Sequence, residues 1–390
     1  MPKIDIFGDL ADQEKRRGIT LTITEDCNLR CRYCYEPDKN PRTMSRETIR
    51  DTITHFMAVE DEFDKIEFDF FGGEPMLAFE LIRDTVEWFH TQTWPKEHLF
   101  FITTNGTVLT DEMKAWLIER KGCVQAGISL DGNKTAHDLN RSNSYDRVRR
   151  NLPFFMEHYP TQPVKMTISA ETIPYVADSI IELEEMGVPF TANVVFENIW
   201  GALEQKAALL ETYAQQLDRL VEYYVAHPEL YPARVVGVPV EHASTDMRAR
   251  RQSDGECIRW CGAGHAMMTV ETDGSRCPCH RFSTWITKRP LPAEPVNHQT
   301  SWKPEKCDQC KLLAICPICA GFNWQENGDS GIRTTYHCES FKLEAQASAK
   351  LQALRMLQQP PAEVASLSTE DAYALKCRID GILEFASEGI

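Results

Sequence analysis

The sequence predicts an α/β fold: a partial (β/α)6, TIM-like barrel, then a small cysteine-rich domain, then C-terminal helices. Three observations carry this. Strand-like and helix-like runs alternate six times over about the first 230 residues. The motifs with chemical character fall just after strand-like runs. Nine of the fourteen cysteines lie between 234 and 341.

The strand-like runs are 19–24, 66–71, 99–104, 125–130, 164–170 and 190–196, rich in β-branched and aromatic residues. Helical runs follow at 45–57, 79–90, 111–121, 145–156, 175–186 and 202–227. Gly187 and Pro228 stand where the fifth and sixth helices should stop. Strict alternation of this kind implies a parallel sheet with right-handed crossovers, which six units can curl into a partial barrel. Beyond Pro228 the chain turns irregular, with a hairpin signal at Thr272-Asp273-Gly274. Its apolar residues are too scattered to bury much surface, so this part should need metal to fold. The expected organisation is an extension (1–18), the barrel (19–233), the cysteine-rich domain (234–341) and a helical segment (342–390). Helices are expected there at 342–357 and 370–385, with Pro360-Pro361 between them.

A net charge of −16 repels the phosphates of nucleic acids and anionic membrane surfaces, so neither is an expected partner. No run of about 18 apolar residues is present, and Met1-Pro2-Lys3-Ile4-Asp5-Ile6 has no secretory character. The expected location is the cytoplasm. There thiols stay reduced, so clustered cysteines point to metal rather than to disulfides.

Cys27-x3-Cys31-x2-Cys34 follows the first strand. Three thiolates on a short loop can hold three corners of a [4Fe-4S] cube, leaving one iron open for a ligand. A structural zinc site would need a fourth ligand that this loop lacks. Gly72-Gly73-Glu74-Pro75 follows the second strand, Thr104-Asn105-Gly106 the third and Asp131-Gly132 the fourth. All would meet at the C-terminal ends of the strands, where a barrel places its active site.

The cysteine loop, with Tyr33 inside it, and Gly72-Gly73-Glu74-Pro75 together resemble the radical S-adenosylmethionine superfamily over about residues 19–230. The resemblance implies that the open iron chelates S-adenosylmethionine and that one electron releases a 5′-deoxyadenosyl radical, which abstracts a hydrogen atom. It also implies that Gly72 and Gly73 allow close backbone approach to the methionine and that Glu74 accepts from its ammonium group. Asn105 lines the same pocket, Ser129 and Asp131 bind the ribose, Arg141 meets the carboxylate, and backbone near Tyr33 or Val194 meets the adenine.

The downstream block, Cys261-x12-Gly274-x4-Cys279 followed by Cys307-x2-Cys310-x5-Cys316-x2-Cys319 and Cys338, resembles the SPASM auxiliary-cluster domain. It departs from that pattern in having two residues, not three, between Cys316 and Cys319. The resemblance implies one [4Fe-4S] cluster on Cys257, Cys261, Cys279 and Cys319, with Cys277 competing for the place of Cys257. A second would use Cys307, Cys310, Cys316 and Cys338, for three clusters in all. The paired C-x2-C units also fit two zinc sites. Cys123 and Cys377 have no partners at metal spacing and are expected in the core.

His280 stands directly after Cys279, where sulfatase-maturing members of the group carry an aspartate base. Histidine could be the base instead, or simply be hydrogen-bonded in place. Glu36, Glu171 and Glu197, near strand ends, are further polar candidates. The expected function is oxidative modification of a ribosomally made peptide or of a protein side chain, forming a thioether or carbon–carbon cross-link. Partners would be that substrate and a flavodoxin- or ferredoxin-like reductant; with only 18 residues before the first strand, leader recognition would need a separate leader-binding protein, the C-terminal segment, or no leader at all. The rivals are a formylglycine-forming sulfatase maturase and a non-catalytic iron-sulfur carrier or binding module.

Overall fold

A computed structural model describes residues 15–36, 38–201, 203–237, 261–292, 296, 302–308, 310, 312–313, 316–358, 368, 369 and 373. Cys257, Cys377, Pro360-Pro361 and nearly all of the helix expected at 370–385 lie outside the described residues.

The expected α/β alternation is present. Strands β1 (Arg16–Thr24), β2 (Lys65–Gly72), β3 (Glu97–Thr104) and β4 (Val124–Ile128) pair in parallel in that order. A parallel bridge between Ser129 and Lys165 carries the sheet on to β5 (Val164–Ile168), which pairs in parallel with β6 (Phe190–Val194). The intervening helices are α1 (Arg46–Ala58), α2 (Phe79–His90), α3 (Asp111–Arg120), α4 (Lys134–Asn140), α5 (Tyr145–His158), α6 (Val176–Glu185) and α7 (Leu203–Ala226). Together they form a partial (β/α) barrel.

Alternation along each strand sorts the side chains. Ile66, Phe68, Phe70, Phe100 and Ile102 are fully buried, and the Phe89 ring of α2 packs edge-on at 5.0 Å from Phe100. The opposite, inner face carries Thr20, Asp69 and Phe101 in one register row. Lys165 joins them from β5, its ammonium 5.3 Å from the Phe101 ring and bonded to Thr103 Oγ1 at 2.8 Å.

Local chemistry explains the boundaries. Ser45 caps α1 by accepting from the Thr48 N–H. Gly187 ends α6 in the left-handed region, with Gly187 N bonded to Glu184 O and Val188 N to Leu183 O, a Schellman stop. The fifth crossover differs from expectation. Pro174 and the Ser169–Thr172 capping box hold Ala170–Tyr175 as a 3-10 turn, and the α-helix begins only at Val176. The seven-residue α4, capped by Asn133, is too short to show periodicity in the sequence.

The hairpin expected at Thr272-Asp273-Gly274 forms as β7 (Met267–Val270) and β8 (Arg276–Cys277), with Gly274 at φ +87. It is built into the barrel sheet: β7 pairs in parallel with β1, from Gly18–Met267 to Leu21–Val270. Among the described residues, the cysteine-rich region has a small apolar cluster of its own around Ala263, Cys277, Cys279, Phe282 and Ala320. Helices α8 (Ala320–Asn327) and α9 (Cys338–Gln358) follow. The latter starts four residues before the expected 342 and packs along α7, through Tyr213–Glu344 at 3.0 Å and Arg355 to the Tyr224 carbonyl at 2.8 Å. No helix among the described residues is long and apolar enough to cross a membrane.

Candidate active site and cysteine centres

The cysteine loop leaves the end of β1 and is held from three sides. Gly73 N donates to Thr24 O at 2.9 Å and Glu74 N to Asp26 O at 2.8 Å, so the segment after β2 lies directly on the loop's start. The two glycines make this contact possible. A Cβ on Gly72, whose φ is +127, would stand 2.0 Å from Thr24 O; one on Gly73 would stand 2.2 Å from Asp26 O and 2.9 Å from Cys27 Cβ. What the glycines approach in this structure is therefore the backbone of the cysteine loop itself.

Glu74 is buried and makes three bonds: Oε1 accepts from Met76 N and from the Thr104 hydroxyl at 2.7 Å, and Oε2 from Asn105 N at 2.7 Å. Burial raises its pKa and these donors oppose the rise. The carboxylate thereby ties the end of β2 to the end of β3. Asn105 passes the tie back to the loop by donating to Asn28 Oδ1 at 2.9 Å.

Asp131 is the hub on the far side. Its Oδ2 accepts from Tyr33 Oη (3.0 Å), Asn140 Nδ2 (3.1 Å) and Arg141 Nε (2.9 Å), and its Oδ1 from Thr167 N (3.0 Å). Burial disfavours the Arg141 charge, but Asp131, Tyr33 and Cys31 together outweigh that and keep it protonated. Nearby, His137 Nδ1 accepts from Asp131 N while Nε2 pairs with Ser144 Oγ. Burial lowers its pKa to about 4, so it is neutral. Ser129, buried beside this hub, donates through its N–H to Thr104 O. Val194 ends β6, and Val195 N bonds Ile168 O.

Cys27, Cys31 and Cys34 lie within electrostatic range of one another. Burial raises the Cys27 pKa, and that of Cys31 to about 11 despite the opposing Arg141 charge. Buried thiols of this kind ionise readily only with a cation bound. No three His, Cys, Asp or Glu side chains among the described residues are grouped so as to hold a single metal ion, while three thiols on one loop are the ligand set that three corners of an iron-sulfur cube would need.

The downstream cysteines form two groups. Cys279 has Cys319 and Cys261 as its sulfur neighbours, and burial pushes its pKa to about 12. Cys277 is also within electrostatic range of Cys279, and its thiol turns to Cys279 O at 3.3 Å and to the Glu271 carboxylate. Cys307, Cys310, Cys316 and Cys338 line one pocket of about 40 Å³, together with Arg333 and His337. Cys123 is half-buried, its sulfur 3.3 Å from His90 Nε2.

His280 joins the two regions. Its ring stacks on Tyr35 at 5.6 Å and lies 5.1 Å from Phe71, and burial lowers its pKa to about 4. Next to it, Arg281 lies over the Tyr35 ring at 4.2 Å and pairs with Glu197 at 2.6 Å. Tyr35 in turn stands within range of both Cys34 and Cys279. Glu171 pairs with the exposed Arg32 at 3.5 Å, and Glu36 with Lys39 at 2.8 Å. Tyr35, Lys39, Asp69, Asn140 and Arg281 were not legible as site residues. None sits at a spacing that metal or cofactor chemistry demands; only adjacency to a cysteine or to Arg141 hinted at two of them, Tyr35 and Asn140.

The architecture is that of a barrel enzyme whose site is built from thiols at the strand ends. Residues 21–175 match the model of the radical SAM superfamily, and the chain belongs to that superfamily. It is 33% identical over 219 residues to an uncharacterized protein of Methanothermobacter thermautotrophicus, covering 54% of this chain and 79% of that one. It is 24% identical over 349 residues to a cysteine-type anaerobic sulfatase-maturating enzyme of Clostridium perfringens, covering 81% and 91%. Among solved structures, native anSMEcpe with bound AdoMet and Cp18Cys peptide shares the fold, with a TM-score of 0.62 at 20% identity over 87% of this chain and 98% of that one.

Proposed function

We propose that this chain is a SPASM-type radical S-adenosylmethionine maturase that oxidises a side chain of a peptide or protein, using three [4Fe-4S] clusters. The observation that carries the reading is the junction at Tyr35 and His280. It packs the Cys27/Cys31/Cys34 loop against the Cys279 segment at the strand ends. A cluster with S-adenosylmethionine bound at the loop supplies a 5′-deoxyadenosyl radical for hydrogen abstraction, and a downstream cluster accepts the second electron. The chain's own groups hold and shape that place. Gly73 and Glu74 fix the loop for the methionine end, Ser129 and the Asp131 hub face the ribose, Arg141 the carboxylate, and backbone at Tyr33 or Val194 the adenine. His280, neutral between two rings, is a proton acceptor or a wall of the substrate chamber. Cys257, Cys261, Cys279 and Cys319 would hold one auxiliary cluster, and Cys307, Cys310, Cys316 and Cys338 the other; Cys277, turned to Glu271, is the poorer fourth ligand.

A peptide partner is supported by the solved neighbour that binds one. The product we favour is a thioether or carbon–carbon cross-link, made in the cytoplasm with a flavodoxin- or ferredoxin-like reductant and a separate leader-binding protein. Formylglycine formation is the second reading, favoured by the similarity to a sulfatase-maturating enzyme over most of the chain.

The test is anaerobic reconstitution, metal analysis and mass spectrometry on a panel of cysteine- and serine-containing peptides. About twelve irons are expected, falling to about eight in a Cys27/Cys31/Cys34 triple alanine variant that no longer cleaves S-adenosylmethionine. A product lacking two hydrogens and without aldehyde marks a cross-link; a hydrazide-reactive aldehyde marks formylglycine. Zinc in the downstream groups, or cleavage that survives the triple substitution, would overturn the assignment.

A further inference from the structure

Directly after Cys34 the chain buries an ion pair that the chemistry above does not use. The Lys39 ammonium lies 2.8 Å from Glu36 Oε2, and both side chains are only about one-twentieth exposed, at 4% and 5%. The same nitrogen stands 3.2 Å from Cys34 Sγ. It is kept there by a lid from the cysteine-rich region: the Trp285 ring lies 5.9 Å from the ammonium, and Trp285 Nε1 donates to Asp38 O at 3.0 Å. Removing two charges from water is costly, and an ion pair placed here for stability alone would gain nothing from facing a sulfur.

We propose that Lys39 is a positioning residue that tunes the cluster at Cys27, Cys31 and Cys34, donating a charged N–H···S bond to the Cys34 sulfur while Glu36 holds and partly neutralises it. The inference rests on the reading of that loop as a cluster site. Hydrogen bonds to ligand sulfurs and local charge set iron-sulfur potentials, because each reduction adds an electron that a nearby cation stabilises. Lys39 therefore raises the reduction potential of this cluster and makes it easier to reduce, and Glu36 lowers it. Two neighbours then have opposite effects, which no purely structural role produces.

The experiment is an EPR-monitored redox titration of reconstituted full-length protein, following the cluster signal that S-adenosylmethionine perturbs and that the triple alanine variant lacks. Lys39→Met is expected to shift the midpoint to more negative values and Glu36→Gln to more positive ones, with Lys39→Arg near wild type. The double variant Glu36→Gln/Lys39→Met leaves no lone buried charge and should fold even if a single variant does not; it too is expected below wild type, having lost the donor. Midpoints unchanged in both single variants, shifts of the same sign, or a double variant at the wild-type value would overturn the role. A wild-type protein with no signal sensitive to S-adenosylmethionine would sink the cluster reading itself, a failure separate from unchanged midpoints.

Discussion

Gly73 and Asp69 show how single residues decide this site. The Cβ of Gly73→Ala would meet backbone oxygen and a cysteine Cβ, neither of which can move without shifting the loop. The variant is expected to lose about 2–3 kcal/mol of stability in urea unfolding and the irons of the first site, while keeping the downstream ones. Asp69 makes a different prediction. Its Oδ1 is buried without a hydrogen-bond partner, and burial raises its pKa to about 7, with Lys165 opposing. Between the unfolded value near 4 and the folded value near 7, the native state holds a proton that the unfolded chain has released. Stability should therefore fall as pH rises through that window, by up to roughly 4 kcal/mol. Glu344, also raised to about 7, adds to the same trend. Asp69→Asn should remove its share, and unfolding curves from pH 5.5 to 8 with an unchanged slope in the variant would refute it. The glycine pair was legible as a motif, since few sequences place two glycines before Glu-Pro by accident. Asp69 was not, because a carboxylate in a strand reads as an outward residue until register shows that it faces inward.

At the scale of elements, the Asp131 hub joins the end of β4, the cysteine loop through Tyr33, α4 through Asn140 and Arg141, and β5 through Thr167 N. Removing one partner leaves the others buried and uncompensated. Arg141→Met is expected to destabilise by about 3–5 kcal/mol. Asp131→Asn should do the same and also free the Tyr33 phenol, visible as a shift in tyrosine absorbance. Preserved stability in both variants would show that the hub is incidental. The six barrel strands were legible to within a few residues because β-branched runs and helical periodicity are local signals. The 3-10 turn before α6 and the short α4 escaped because a proline and a capping asparagine act through backbone bonds, not through periodicity.

For the molecule as a whole, the described part of the cysteine-rich region has a small apolar cluster of its own and joins the barrel through the pairing of β7 with β1 and the packing of His280 on Tyr35 and Phe71. Stripping iron with a chelator should therefore open residues 261–338 to hydrogen exchange well before the barrel strands β2 to β4. Uniform loss of protection across the chain would contradict this. Cys307, Cys310, Cys316 and Cys338, the four that the resemblance to the SPASM domain implies for one cluster, line a single pocket. The docking of the hairpin onto β1 had no local signature, since strand pairing across most of the chain length leaves no mark in either segment.

That pairing has a consequence for how the protein is made. Arg17 bonds the carbonyl of His265, 248 positions later, and Gly18 bonds Ala266 beside it. On a ribosome, one edge of the first strand stays open until the hairpin emerges, on the order of tens of seconds at ordinary elongation rates. An unpaired parallel edge is a template for wrong partners, and closing so long a loop is slow. Truncation before Met267 should yield a barrel that aggregates through β1, and slower elongation, which lengthens the time that edge stands open, should lower the soluble yield of the full chain.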